Sequence, residues 1–435
     1  MQYAVRGPIV IRAVEIEKEL EKVGVSKPFK NVIKANIGDA HAMGQKPITF
    51  IRQVLACVCN PSLTECGGFP SDVVEHAKTI LRGCGGHSAG AYSQSTGIDV
   101  IRRHVAEYIE KRDGFPCDPE NVILSGGASE SIRNVLKMFI RRDVKKKTGV
   151  MIPIPQYPLY SATVEEFGLG QIGYYLHEEK NWSLEEEELE RSYKESLKQY
   201  DTKVLCVINP GNPTGQDNIY AEGSKFHSFK KVINEMGAPY NKMELASFHS
   251  VSKGYMGECG MRGGYVEFFN LDPQVFLMFK KMISAKLCPT ILGQVVMDTV
   301  VNPPKPGDPS YNQWLQEKTV VLDSLKKRAI LVKEAYGSIE GIKCNEVQGA
   351  MYAFPQIELP PRAMETARSL NQEPDFFYAM KLLESTGVCI VPGSGFGQKQ
   401  GTYHFRTTIL PQTELMKDML DRFKSFHMKF LEEYK

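Results

Sequence analysis

The sequence lacks three features: a long apolar run, an excess of charge of one sign and a Cys-x-x-Cys motif. No apolar run reaches the roughly 18 residues of a membrane-spanning helix, so we expect no membrane association. The formal net charge is only +2, which gives no indication of a nucleic-acid partner. The ten cysteines are scattered, which argues against a disulfide framework or a zinc ribbon and favours a reducing compartment.

No targeting segment is visible before Gly7-Pro8. We therefore expect a cytoplasmic protein, or a mitochondrial one if a presequence is absent from this chain. The partial metal motif Cys84-Gly85-Gly86-His87 has no matching second half, so no metal site is expected. The basic run at residues 141–147 has no interleaved aromatic residues and is typical of a solvated helix end rather than of a nucleic-acid surface.

The order of the predicted elements indicates the fold class. From about residue 98, helix patterns alternate with short apolar strands, which is typical of a mostly parallel, doubly wound α/β sheet. One of these strands is Val122-Ile123-Leu124, and the continuous apolar run from Val204 to Ile208 predicts a fully buried central strand. With 42% hydrophobic residues, a chain of 435 residues can form a large core and two or three domains.

A lysine in an unusual setting is the strongest candidate for chemistry. Lys253 follows Ser250 and Ser252, precedes Gly254, and has Arg262 nine positions later. A partly desolvated amine near other cations loses proton affinity and can form a Schiff base, while hydroxyls and a guanidinium suit a phosphate dianion. Pyridoxal phosphate is the cofactor that combines both needs. The same residues are also compatible with a serine-rich turn and a solvated lysine.

Other loops at predicted strand ends point to the same kind of site. The Gly126–Glu130 turn joins a strand to a helix N-terminus, which favours an anion, although any tight turn prefers such residues. Asn212 lies in a proline-locked loop after the Val204–Ile208 run, at the strand end where open α/β sheets bind ligands. Tyr157, between prolines, can stack on a flat ring or pack under its loop.

Three further sequence features give weaker indications of a ligand site. Gly38 ends a short strand in a turn where backbone can approach a ligand, although a plain turn is equally compatible. Tyr92 lies in a glycine-rich loop that could present it to a site, but a lone loop tyrosine is usually surface. The glycine-rich Pro392–Gly397 run is not a dinucleotide motif, because strand residues and not a helix follow it.

Together, these motifs resemble those of the fold-type I aminotransferases that use pyridoxal phosphate. The resemblance rests on Asn209-Pro210-Gly211-Asn212-Pro213-Thr214-Gly215, on Ser250-Val251-Ser252-Lys253 and on Arg262. It extends over nearly the whole chain, and the runs 152–162, 247–265 and 391–406 are most similar to those of the alanine aminotransferases.

The resemblance implies a role for each matching residue. Lys253 would form the internal aldimine with the cofactor and shuttle the proton. Tyr157 would stack on the pyridine ring, and Asn212 would hydrogen-bond its phenolic oxygen. The residues that would hold the phosphate are Ala128, Ser129, Ser250, Ser252 and Arg262, with Tyr92 reaching the phosphate of the neighbouring subunit. Arg406 would bind the substrate α-carboxylate, and Gly38 would line the same pocket.

The resemblance also implies an architecture and an activity. We expect an N-terminal arm with part of a small domain at 1–66, a large cofactor-binding domain at 67–304 and a smaller α+β domain at 305–435. The expected protein is a homodimer that transfers an amino group between alanine and 2-oxoglutarate by a ping-pong scheme. A lyase on the same scaffold, a catalytically impaired relative that binds the cofactor, and a purely structural protein remain alternatives.

One segment of the family pattern is missing from this chain. Family members carry a helix and then a strand between the Asn-Pro turn and the lysine, and that strand bears an Asp for the pyridine nitrogen with a Tyr three residues on. Asn212 and Lys253 are only 41 positions apart, which leaves room for one helix, at 228–236. Asp217 and Tyr220 have the right spacing but follow Gln216 without that helix and strand. We expect a gap in the sheet and weak or absent turnover.

Overall fold

A computed structural model describes residues 7–435 except 23, 25, 143, 210, 214–224, 348 and 350. Over these residues, no helix is both long enough and apolar enough to cross a membrane. The chain forms two compact units. Unit 1 comprises Met1–Gly38, Phe139–Lys225 and Asp323–Lys435, and unit 2 comprises Asp39–Met138 and Phe226–Leu322. The division into 1–66, 67–304 and 305–435 stays a prediction, and unit 1 draws residues from all three ranges.

The described secondary structure is mixed. The helices are α1 (Pro8–Leu20), α2 (Thr49–Cys59), α3 (Ser71–Arg82), α4 (Asp99–Asp113), α5 (Ala128–Lys137), α6 (Pro158–Glu166), α7 (Glu186–Ser196), α8 (Phe229–Met236), α9 (Pro273–Ser284), α10 (Ile291–Val301), α11 (Tyr311–Gly337), α12 (Pro361–Ser369), α13 (Pro374–Thr386) and α14 (Thr413–Tyr434). The strands are β1 (Val122–Ser125), β2 (Thr148–Ile154), β3 (Gly170–Tyr175), β4 (Asp201–Leu205), β5 (Leu245–Ser250), β6 (Gly264–Phe269), β7 (Ile342–Lys343), β8 (Tyr352–Ala353), β9 (Gln356–Ile357), β10 (Val391–Pro392) and β11 (Phe405–Thr408). The α/β class predicted from the sequence is confirmed.

Unit 2 is built on a three-stranded sheet in the order β1-β6-β5. β6 runs antiparallel to both neighbours, so β1 and β5 run in the same direction. An apolar core that includes Val122, Leu124 and Tyr265 from the sheet, with Val105 and Val295 from the helices, covers one side of this sheet. β5 is the end strand of the sheet, and all six of its residues are half-buried, whereas β1 is buried throughout.

Unit 1 contains the parallel strands, in the order β3-β2-β4. β2 lies in the middle and is almost wholly buried, because its apolar residues are covered on both sides. A second sheet, β10-β11-β8, and the pair β7-β9 are antiparallel. The sheet β10-β11-β8 holds Phe405 and Arg406 in buried positions on β11.

The interpretation of Val204–Ile208 as a fully buried central strand is wrong. The strand that forms is β4, which begins at Asp201 and ends at Leu205. Among the described residues, β4 pairs only with β2 and is the end strand of its sheet, and the Leu205 side chain is 49% exposed. A strand with only one neighbour leaves its outer edge uncovered, which the apolar pattern alone does not reveal. The exposed edge agrees with the gap expected from the shortened chain.

A buried charged group links three helices of unit 2. Asp298 of α10 is fully buried, accepts a hydrogen bond from His104 Nδ1 of α4 at 2.8 Å and lies 2.7 Å from His76 Nε2 of α3. The hydrogen bond to Asp298 raises the pKa of His104 against the opposing effect of burial. Burial alone would raise the pKa of Asp298, but its histidine partners hold it below the usual range.

We predict that replacing Asp298 with asparagine destabilises the protein in a pH-dependent way. The contribution of the Asp298–His104 contact is fully present above the unfolded-state pKa of aspartate, about 4, and below that of histidine, about 6.5. It is lost as the pH falls through the lowered pKa of Asp298 or rises through the raised pKa of His104. The free energy of unfolding should therefore drop by about 1–3 kcal/mol near pH 5.5, and by less at high pH.

Urea denaturation at several pH values measures this difference. Glu110→Gln, an exposed position on α4, is the matched control and should change stability little at any pH. A loss of stability in Asp298→Asn that is the same at pH 5.5 and at pH 9 would contradict the prediction.

Candidate functional site

One residue of unit 2 brings two strand ends together. Gly264, the first residue of β6, pairs with Ser125 at the end of β1 and with Ser250 at the end of β5. The chain segments that follow these two ends, Gly126–Ser129 and Val251–Lys253, therefore emerge on either side of Gly264. These are the segments in which the sequence predicted the phosphate-binding and lysine motifs.

The turn after β1 presents a helix N-terminus. Gly127 precedes α5 with a φ of 98°, and its position carries no side-chain cap. A Cβ at Gly127 would lie 2.7 Å from Nη2 of Arg262, so glycine allows the guanidinium to lie against the start of α5. Ala128 and Ser129 form the first turn of this helix, where backbone N–H groups and the helix dipole favour an anion.

The turn is held from within unit 2. The Glu130 carboxylate accepts a hydrogen bond from the Gly126 backbone N–H at 2.6 Å and contacts the Lys286 ammonium at 3.1 Å. The Ser131 hydroxyl donates to Ser125 Oγ at 2.7 Å, and Ser125 Oγ donates to the Gly127 carbonyl at 3.0 Å. No local pattern in the sequence indicates these supporting residues, because their partners become neighbours only when the turn has formed.

The lysine motif follows the end of β5. The Ser250 and Ser252 hydroxyls lie 3.0 Å apart, and Ser250 Oγ accepts a hydrogen bond from the Ser252 backbone N–H at 3.1 Å. Cys259 donates its thiol hydrogen to the Ser252 carbonyl at 2.9 Å, and burial raises the pKa of this thiol. Lys253 is exposed, so the expectation of a desolvated amine is wrong: the lysine stands in the turn beyond the sheet and not against its core.

Arg262 has a backbone conformation that turns its side chain away from the core. Its φ is 54°, in the left-handed region, and its Nη1 donates to the Cys259 carbonyl at 3.2 Å. α10 approaches this backbone closely, since a Cβ at Gly293 would lie 2.4 Å from the Arg262 carbonyl oxygen. The close approach of α10 to the Arg262 backbone supports that turned conformation and leaves the side chain exposed.

A histidine on the opposite side of β5 is uncharged near neutral pH. His249 stacks on Tyr265, with 5.4 Å between the ring centroids. Burial, assisted by the nearby Arg112 guanidinium, lowers the pKa of His249 to about 4. Because neighbouring residues of a strand point to opposite faces, Ser250 faces away from this ring.

Unit 1 contains a buried arginine, Arg406, whose guanidinium contacts two aromatic rings and donates to two oxygen atoms. Arg406 is 1% exposed, and its guanidinium lies between the rings of Tyr352, at 4.2 Å, and Phe396, at 4.8 Å. Nη1 donates to Asn212 Oδ1 at 3.1 Å and Nη2 donates to the Asn36 carbonyl at 2.6 Å. A planar guanidinium held in this way can meet a carboxylate with two parallel hydrogen bonds.

Of the other predicted site residues, Tyr157 and Gly38 lie in unit 1 and Tyr92 lies in unit 2. Tyr157 directly precedes α6, is half-buried, and meets Tyr160 edge-to-face at 6.4 Å. Gly38 is buried in unit 1, two residues after Asn36. Tyr92, in unit 2, is 76% exposed, which is compatible with contact to another subunit as well as with an ordinary surface position.

The structure groups the predicted residues into two sets. Unit 2 holds the phosphate and lysine residues, which are Ala128, Ser129, Ser250, Ser252, Lys253 and Arg262. Unit 1 holds Gly38, Tyr157, Asn212 and Arg406. Asn36, Tyr352 and Phe396 were not predicted, because nothing in their local sequence indicates contact with Arg406. Asp217 and Tyr220 lie outside the described residues.

The residues of unit 2 fit pyridoxal phosphate. The site combines the start of α5, the two hydroxyls of Ser250 and Ser252 and the guanidinium of Arg262, which suits a dianion. The guanidinium can lie so close to the helix only because residue 127 is a glycine. The amine of Lys253 follows within the same turn. The buried guanidinium of Arg406 suits a carboxylic acid.

Comparisons with known proteins agree with this chemistry. The family model "Aminotransferase class I and II" matches residues 68–218 and 216–423. Alanine aminotransferase 2 of Xenopus laevis is 55% identical over 464 aligned positions, which cover 100% of this chain and 86% of the relative. Alanine aminotransferase 1 of Homo sapiens is 53% identical, covering 100% of this chain and 93% of the relative.

The alignments also support the interruption inferred from the sequence. The 464 aligned positions contain 435 residues of this chain, so 29 positions (464 minus 435) have no counterpart here. The two matched parts of the family model meet at residues 216–218. This is where the sequence predicted a missing helix and strand.

Among solved structures, an alanine aminotransferase from Pyrococcus furiosus is similar, with a TM-score of 0.72 and 22% identity over 98% of each chain. At that identity the likeness supports the fold alone. The matches to the family model and to relatives more than 50% identical go further: the chain belongs to the class I and II aminotransferases, which depend on pyridoxal phosphate.

Proposed function

We propose that this protein acts on alanine and 2-oxoglutarate, forming pyruvate and glutamate by ping-pong transfer of the amino group. The observation that carries the proposal is the position of Lys253, which directly follows the hydroxyl pair Ser250 and Ser252 at the end of β5. The choice of alanine rests on the names of the relatives from Xenopus laevis and Homo sapiens.

The cofactor phosphate would be held by residues of unit 2. The first turn of α5 at Ala128 and Ser129 would supply backbone N–H groups, while Ser250 and Ser252 would supply hydroxyls. Arg262 would add a guanidinium that can meet phosphate oxygens with two hydrogen bonds. Lys253 would bind the cofactor covalently and, once displaced by the substrate amine, move the proton at the substrate carbon.

The substrate would be held by residues of unit 1. Arg406 would bind the α-carboxylate, and the rings of Tyr352 and Phe396 limit how its guanidinium can turn. Asn212, which accepts from Arg406, would also donate from its amide nitrogen to the cofactor phenolic oxygen. Tyr157 would stack on the pyridine ring, and Gly38 would line the pocket. When bound, pyridoxal phosphate supplies the carbonyl group and the electron sink.

The assembly and the compartment follow from the same proposal. We propose a homodimer in which Tyr92 would reach the phosphate of the neighbouring subunit, as the family resemblance implies, and its 76% exposed side chain is compatible with that contact. We propose a cytoplasmic location, which the scattered cysteines support because they favour a reducing compartment. A relative from Dictyostelium discoideum, 44% identical, is named as mitochondrial, so location must be measured with a tagged protein and a mitochondrial marker.

Replacing Lys253 with alanine should abolish covalent attachment of the cofactor. After reduction with borohydride, mass spectrometry of the intact chain should show the cofactor mass on the wild type and not on Lys253→Ala. Lys78→Ala, at an exposed position on α3 of unit 2, is the control and should retain attachment. Cofactor trapped on the Lys253→Ala protein would refute the assignment.

Replacing Arg406 with lysine should weaken binding of 2-oxoglutarate while leaving cofactor content unchanged. Lysine keeps the charge but loses one of two parallel hydrogen bonds, for which we expect roughly a 10- to 100-fold rise in Kd. Calorimetry measures the Kd, and absorption measures the cofactor. Arg328→Lys is the matched control, because Arg328 is equally buried in unit 1 but donates to the carbonyls of Leu410 and Pro411. Loss of cofactor with unchanged Kd would contradict the role.

The interruption at 216–218 is compatible with a second candidate, a catalytically impaired protein that still binds the cofactor. The missing positions would carry the aspartate that keeps the pyridine nitrogen protonated, and without a carboxylate the cofactor is a weaker electron sink. Asp217 is a poor substitute, because it follows Gly215-Gln216 and the sequence leaves no room there for the helix and strand that would place it. A lyase on the same scaffold is distinguished by measuring pyruvate formed from alanine with and without 2-oxoglutarate.

We expect this chain to turn over alanine and 2-oxoglutarate weakly or not at all. Inserting, after Gln216, the segment that the Xenopus laevis relative has at the unmatched positions should restore turnover and raise the melting temperature. A shuffled segment of equal length and composition is the control. Ordinary turnover by the chain as it stands, retained in Asp217→Ala, would show that the missing segment is dispensable.

A further inference from the structure

A buried carboxylate in unit 1 has no place in the function proposed above. Asp375 lies in the first turn of α13 and is 2% exposed. Its oxygens accept hydrogen bonds from the Ser394 backbone N–H at 2.6 Å, from Gln398 Nε2 at 3.1 Å and from the Phe376 backbone N–H at 3.0 Å. Two of these three donors belong to one distant turn, residues 393–398.

This 393–398 turn carries Phe396, one of the two rings on Arg406. Phe396 is 0% exposed, and its centroid lies 4.8 Å from the Arg406 guanidinium carbon. Ser394 and Gln398, the two residues bound to Asp375, stand on either side of Phe396 in the sequence. The Phe396 carbonyl also accepts a hydrogen bond from the Gln156 backbone N–H at 2.7 Å. Asp375 therefore fixes the turn at both ends of the residue that contacts Arg406.

A second set of contacts joins the same turn to the strand of Arg406. Gln398 Oε1 lies 3.1 Å from His404 Nδ1, and His404 Nε2 lies 3.0 Å from the Glu178 carboxylate. Phe354 stacks on His404 with a centroid separation of 4.8 Å and meets Phe396 edge-to-face at 5.8 Å. The Gln398 side chain thus connects Asp375 to the residue two positions before Arg406 on the chain.

The hydrogen bonds of Asp375 favour its ionised form, which accepts from two backbone N–H groups and the Gln398 amide. Burial raises the pKa of the Asp375 carboxyl, and hydrogen bonds from Ser394, Gln398 and Phe376 oppose that rise. The N-terminal position in α13 also favours a negative charge. These donors are neutral, so Asp375 orients groups and does not neutralise a cation.

We propose that Asp375 is a positioning residue for binding of the substrate carboxylate: it holds the 393–398 turn so that Phe396 keeps the Arg406 guanidinium in one orientation. The proposal rests on the proposed role of Arg406. A bidentate contact requires the plane of the guanidinium to match that of the carboxylate, so a small rotation of Arg406 costs affinity. Asp375 would lower the Kd for 2-oxoglutarate through Phe396, without itself contacting substrate or cofactor.

The first experiment compares Asp375→Asn with Glu414→Gln in the full-length protein loaded with pyridoxal phosphate. Asparagine has the same shape, but its amide N–H groups face the donors of the 393–398 turn. Glu414, also in a helix first turn of unit 1, has a side chain that is 88% exposed, and its replacement should change nothing. We expect Asp375→Asn to raise the Kd for 2-oxoglutarate about tenfold, with unchanged cofactor content.

The second experiment separates positioning from stability. In an Arg406→Lys background, Asp375→Asn should cause no further rise in Kd, because the group it orients is already gone. If Asp375→Asn fails to fold, Gln398→Met serves instead, since it removes both contacts of the Gln398 amide and lies at a partly exposed position. A lowered melting temperature with unchanged Kd, or an equal rise in Kd in both backgrounds, would overturn the proposal. An unchanged Kd in Arg406→Lys alone would instead refute the proposed role of Arg406.

Discussion

The pairing of β6 with both β1 and β5 is the constraint on which the phosphate-binding residues depend. Since Gly264 pairs in register with both Ser125 and Ser250, the two segments that leave those strand ends start on either side of one glycine. Both segments start directly at the ends of paired strands and not from a long loop. The α5 N-terminus and the hydroxyls of Ser250 and Ser252 are therefore set by backbone pairing, the most strongly directional interaction in the unit.

Among the described residues, β4 and β5 each have one edge with no neighbouring strand. A parallel strand enters a sheet only through a crossover of a dozen or more residues, and the 29 positions that this chain lacks are enough for one helix and one strand. In the part of the chain that the structure describes, β4 and β5 are end strands of their sheets, which agrees with a strand missing between them in the sequence. β5 contains neither a charged residue nor a proline, the usual protection of an exposed edge, so association between unfolded or partly folded chains is favoured.

The sequence predicted best those features that are encoded locally. The Ser250–Lys253 run and the Gly126–Ser129 turn contain their own polar groups, and both lie at the ends of short apolar strands where they were expected. Burial was predicted less well. Val204–Ile208 is apolar throughout, yet exposure of β4 depends on an absent neighbour, and Lys253 is exposed because it stands beyond the sheet. The partners of Arg406 come from Asn36 and Asn212, 370 and 194 positions away, which no local pattern indicates.

The two sets of site residues are each fixed by contacts within one unit. The phosphate residues are fixed by β1, β5 and β6 within unit 2, and Arg406 is fixed by β11, Asn36 and the aromatic rings within unit 1. What the missing strand would add is a carboxylate that keeps the pyridine nitrogen protonated, and this charge matters most when negative charge develops on the substrate carbon. Binding of cofactor and of acid should therefore survive a loss that lowers the rate of the chemical step, because ground-state binding and stabilisation of the transition state draw on different residues.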